Sequence, residues 1–210
     1  MKNKNKRHIK INFAILALLV IVGRLYDATT TYLYTPDLTN ETNVLVKLFG
    51  VGWTSFAIIQ ITLVAIIIYL LYFYLFKFKP DTPPEKNLNS KQFASYLFFN
   101  DSTSFHKMFY KTPKNKKTLF ASIGYLVSMT LISISFVVGT STTFLIISDN
   151  YRKIYKQGVP YVLYGLIVGL IVYFTIRFFK IEFTKYKQTD NEHDRQETTH
   201  HNMRYILLPR

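Results

Sequence analysis

Arg24, Asp27, Thr30 and Thr31 interrupt a run, INFAILALLVIV and beyond, whose composition belongs in lipid. Arg24, Asp27, Thr31 and Tyr34 recur at helical spacing and so share one face, with Thr30 beside it. A guanidinium and a carboxylate three residues apart can pair directly. Three chemistries are open to them. The pair can hydrogen-bond to hydroxyl and amide side chains of other helices and lock a bundle together. It can receive a solute, an ion or a lipid headgroup. Or Asp27 can exchange protons. A charge at the bilayer centre costs about 2.5 to 3.5 kcal/mol on insertion scales, so ionisable residues there usually face a bundle interior or a cavity.

Counting depth at about 1.5 Å per residue gives Arg24 and Asp27 company. Asp27 precedes Tyr34 by seven residues and Gln60 follows Trp53 by seven, which places both roughly 10 Å below the same boundary. The turn GTSTT, with Thr140, Thr142 and Thr143, lies at a matching height in a third apolar run, and Gly165 with Gly169 in a fourth. One polar layer in the outer third of the bilayer is therefore expected, with all four helices contributing. Pro36 should end the first helix, and Thr39 or Asn40 can cap a short helix that follows. Glu41 then sits in its first turn, where a carboxylate complements the helix dipole. Alternatively, Glu41 folds over Asp27 as a second acidic ligand, with Asn43 alongside.

Four apolar blocks must carry these residues: 11–34, 53–76, 119–147 and 159–179. Each is near or above the roughly 20 residues that a helix needs to cross a bilayer. The expected fold is all-α, a polytopic membrane protein with four transmembrane helices in two hairpins. Its segments are a basic N-terminus (1–10), a first hairpin with its outer loop (11–76), a loop with an aromatic interfacial segment (77–117), a second hairpin (118–180) and a polar tail (181–210). The formal charge is +14. Its lysines and arginines gather in 1–10, in the middle loop and after Arg177, which puts these on the cytoplasmic side with both chain termini. This charge anchors to anionic inner-leaflet headgroups of the lipid bilayer rather than to nucleic acid.

The absence of cysteine excludes disulfides, thiolate metal sites and cysteine nucleophiles. The apolar run near the N-terminus follows basic residues as a signal peptide would, but helix-compatible residues continue to Tyr34, so a retained first helix is expected. No nucleotide-binding, serine-hydrolase or zinc-protease motif is present. His193, His200 and His201 lie in a charged, polar tail, and His200 and His201 are adjacent rather than helically spaced, so neither metal nor cofactor is implied. In the middle loop, Phe93, Leu97, Phe98 and Phe99 are too apolar to float free. They call for a helix lying on the inner leaflet or packed as a cap on the bundle.

Asp27-x-x-Thr30 followed by Glu41-x-Asn43 resembles a group of small bacterial multi-pass membrane proteins in which an Asp/Thr helix precedes a Glu-x-Asn turn. The resemblance covers about residues 23–50, and Val44 stands where that group has proline. It implies that Asp27, Thr30, Glu41 and Asn43 belong together, and it implies no activity. The sequence thus points to a non-enzymatic component of a bacterial cytoplasmic membrane: an accessory subunit of a larger membrane complex, or a small binding or transport unit. A membrane enzyme acting on a lipid or headgroup at the outer leaflet, with Asp27 or Glu41 as general base, is the alternative.

Overall fold

The computed structural model describes residues 2–37, 52–81 and 83–206. Among them there is no strand, and four helices are long and apolar enough to cross a membrane: Lys6–Tyr34, Trp53–Lys77, Lys116–Ile147 and Val159–Asp190. The first lies within α1 (Lys2–Tyr34). The second is α2 (Trp53–Tyr72) with a π-helical turn, Phe73–Lys77, at its end. Three further helices precede the last: α3 (Ser90–Phe99), α4 (Lys116–Ile147) and the short α5 (Asp149–Lys156). The last span lies within α6 (Val159–Ile206).

The chain divides into two units, Met1–Phe78 with Phe120–Thr175, and Lys79–Leu119 with Ile176–Arg210. In the first, α1 and α2 run antiparallel, joined by rings at each end. Phe13 meets Phe76 edge-on at 5.5 Å, and Tyr32 meets Trp53 at 5.1 Å. The Trp53 indole also donates to the carbonyl of Pro36, two residues beyond the end of α1, at 2.6 Å.

α4 is the central helix of this unit. Its apolar window is 44% buried, against 6% for that of α6. Small residues bring it close to its neighbours, as is usual where helices associate without a hydrophobic driving force. A Cβ on Gly124 would lie 2.4 Å from the Leu70 carbonyl oxygen, so the backbones of α4 and α2 all but touch there. One turn away, Ser128 is fully buried. Arg152 of α5 closes the other end of α4, donating to the Leu145 and Ile146 carbonyls at 2.6 and 2.8 Å. Gly158 then turns the chain into α6 with φ at +137°, a conformation that other residues rarely adopt.

In the second unit, α3 opens on a capping box in which Asn89 and Gln92 exchange backbone and side-chain hydrogen bonds. Phe93, Ala94, Ser95, Leu97, Phe98 and Phe99 are all buried, which leaves no broad face for an inner leaflet. α3 packs instead on α6: Phe93 stacks on Tyr186 at 5.0 Å, and Phe98 meets Phe179 at 5.7 Å. The start of the polar tail, through Tyr186, is thus part of a packed helix. α6 continues to Ile206, because no glycine or proline interrupts the stretch and Phe179, Phe183 and Tyr186 form an apolar stripe for α3.

Candidate functional site

The polar layer has Arg24 at its centre. Its Nη1 donates to Asp27 Oδ2 at 2.5 Å and makes a long contact, 3.5 Å, with Ser135 Oγ; its Nη2 donates to Gln60 Oε1 at 2.6 Å. Three helices, α1, α2 and α4, thus meet on one guanidinium. The Arg24 and Asp27 side chains are only 16% and 13% exposed. At that burial the pair is shielded from water, and its cohesion depends on all partners being present.

Why the chain places these groups together is local in each case. Arg24 and Asp27 sit one turn apart on α1. Gln60 follows from the antiparallel pairing of α2, set at its two ends by the ring contacts of Phe13 and Trp53. Ser135 arrives because Gly23 of α1 and Ser135 are both small: a Cβ on Gly23 would stand 3.2 Å from that of Ser135. One turn further, Gly139 leaves room for the Tyr26 ring, which a Cβ would meet at 2.6 Å. The Tyr26 hydroxyl reaches Thr143 Oγ1 at 2.9 Å, while Thr143 donates its own proton to the Gly139 carbonyl. Tyr26 is therefore the donor in that pair.

The other sequence-predicted residues divide. Thr30 is buried, and its hydroxyl bonds back to the Tyr26 and Asp27 carbonyls of its own helix at 3.0 Å each. Thr31 is half-buried and accepts at its carbonyl from the Thr35 amide at 2.8 Å. Thr142 is buried with Ser141, whose hydroxyl pairs with Tyr151 of α5 at 2.8 Å. Thr140 is exposed, turned from Arg24. Gly165 and Gly169 have no atom within 4 Å of a Cβ position, so α6 does not join the layer as the depth count implied. Glu41 and Asn43 lie outside the described residues.

Tyr26 and Ser135 were not singled out from the sequence. The available signal was the Ser135-x-x-x-Gly139 spacing, a pair of small residues on one face of an apolar helix. Among the described residues no group of three or more His, Asp or Glu side chains could hold a metal ion. Chemically the arrangement is a hydrogen-bond network that orients one cation and one anion within an apolar bundle. No protein-family model matches the chain, and neither a curated protein nor a solved structure resembles it closely enough to count as a match.

Proposed function

We propose that this chain is a non-enzymatic component of a bacterial cytoplasmic membrane, an accessory subunit of a larger membrane complex, with both termini in the cytoplasm. The Arg24 cluster then serves cohesion: it fixes α1, α2 and α4 relative to one another within the lipid. The observation that carries this reading is the engagement of the Arg24 guanidinium by Asp27, Gln60 and Ser135 from three helices. A site built to take a solute or to move protons would leave donors or acceptors turned toward an opening. Here Arg24 Nη1 and Nη2, Asp27 Oδ2 and Gln60 Oε1 are turned on each other.

Complementation of a deletion strain tests the role. If the cluster is cohesive, the variant Asp27→Asn fails with loss of folded protein, and the double variant Arg24→Gln, Asp27→Asn restores both folding and complementation. A double variant that folds and does not complement would assign chemistry to the pair. Orientation is tested separately, since the chain has no cysteine of its own. Gln157→Cys should react with an impermeant thiol reagent in intact cells, and Lys91→Cys should not.

A further inference from the structure

Lys6, Lys10 and Phe13 follow one another on α1 at intervals of four and three residues, so they share one helix face. That face is the one turned to α2, because Phe13 packs edge-on against both Tyr72 and Phe76, at 5.9 and 5.5 Å. Lys77 follows Phe76 directly and ends the π-helical turn. The antiparallel pairing of α1 and α2 therefore gathers Lys6, Lys10 and Lys77 at one end of the first unit, and all three are exposed. Neither helix carries an acid to balance them: α1 has none before Asp27, and the span Trp53–Lys77 has none at all. Like charges one turn apart on a helix repel, and packing brings a third to them. The cluster calls for an anion from outside the two helices.

We propose that Lys6, Lys10 and Lys77 bind the phosphate of an anionic phospholipid headgroup. Charge complementarity and continuity with the two spans single out that occupant. Lys77 is the last residue of its span, and Lys6 the first of the other. From Lys10 to Lys6 the helix rises about 6 Å. The headgroup layer on each side of the hydrocarbon is roughly 5 to 7 Å deep, so the cluster matches it in depth as well as in sign. Basic side chains that flank a span at this level are drawn to anionic lipid, each adding to the attraction. An acidic protein would first have to displace the headgroups that surround these turns. The proposal rests on the chain crossing a bilayer, and on neither its orientation nor its role.

The test titrates the full chain in detergent with phosphatidylglycerol or phosphatidylcholine of identical acyl chains, and native mass spectrometry counts the lipids retained. The first phosphatidylglycerol should bind at least about tenfold more tightly than the first phosphatidylcholine. The triple variant Lys6→Gln, Lys10→Gln, Lys77→Gln should bring the two lipids within about twofold of each other. Lys153→Gln with Lys156→Gln, which removes two exposed lysines of α5, should keep the preference. Equal affinities in the unmodified chain would overturn the proposal without recourse to any variant. So would a preference that survives the triple variant in folded protein, or an acidic protein cross-linked through Lys10 in cells. Failure of both lipids to bind would contradict the membrane reading instead.

Discussion

Arg24 donates through Nη2 to Oε1 of Gln60 at 2.6 Å, joining α1 to α2 between residues 36 apart in sequence. This contact leaves Nη1 for Asp27 and Ser135, so the guanidinium is held in one orientation from opposite edges. A lysine could not do this, because its ammonium is a point charge without a planar fork. The rigidity of the layer follows from that geometry, and so does its sensitivity to the loss of a single partner.

Close backbone approach makes α4 intolerant at one glycine and tolerant elsewhere on the bundle. At Gly124 a methyl group would collide with the Leu70 carbonyl, whereas at Gly165 it would meet nothing within 4 Å. Gly124→Ala should therefore destabilise the detergent-solubilised protein by about 1 to 3 kcal/mol, the usual cost of overpacking. Gly165→Ala should be neutral or slightly stabilising, as expected from helix propensity. Thermal melting of the two variants side by side checks the contrast; equal effects would mean that α2 and α4 do not approach as closely as described.

Docking of α3 depends on aromatic rings. Phe93 is 1% exposed and touches both Phe183 and Tyr186. Truncation of such a ring typically costs about 3 to 5 kcal/mol. Phe93→Ala should free α3 from α6 without unfolding the spans, read as a rise in amide exchange over residues 90–99 with exchange over 120–140 unchanged. Slow exchange retained over 90–99 would contradict the docking.

Acid should loosen the turn after α3. Hydrogen bonds from the Ser104 hydroxyl, then from the Thr103 amide and hydroxyl, hold the Asp101 carboxyl well below the ordinary aspartate range. The folded value lies under the unfolded value of about 3.9. The stabilisation is thus fully present above that value and is lost as pH falls through the folded value. Protection factors of residues 103–107 should decline below about pH 4, and Asp101→Asn should remove that dependence. Protection that declines identically in both proteins would assign the effect to another group.

Much of this architecture was legible from the chain because lipid imposes strong composition rules. The four spans, the rarity of Arg24 and Asp27 within them, and the height of Gln60 all follow from hydropathy and rise per residue. Height along a helix is only half of a position, however; successive residues also turn by about 100°. That is why Gln60 reaches Arg24 while Thr140, at a matching height, faces away, and why Gly165 and Gly169 lie open. Ser135 and Tyr26 depended on which faces of α1 and α4 meet, and small-residue packing decides that. The continuation of α6 was hidden by charge: lysines around Phe179, Phe183 and Tyr186 mask a stripe that only α3, distant in sequence, makes apolar in context.

The central claim is that Arg24 and Asp27 form a shielded pair that holds the bundle together, and a double-mutant cycle tests it most directly. Removing one partner from a buried pair leaves an uncompensated charge and costs about 3 to 5 kcal/mol, while removing both costs far less. Melting of the detergent-solubilised protein should therefore show Asp27→Asn much less stable than the double variant Arg24→Gln, Asp27→Asn, with a large coupling energy between the two sites. If the single and double variants melt alike, or if their effects simply add, Arg24 and Asp27 are solvated separately and the account of the layer as a cohesive network is wrong.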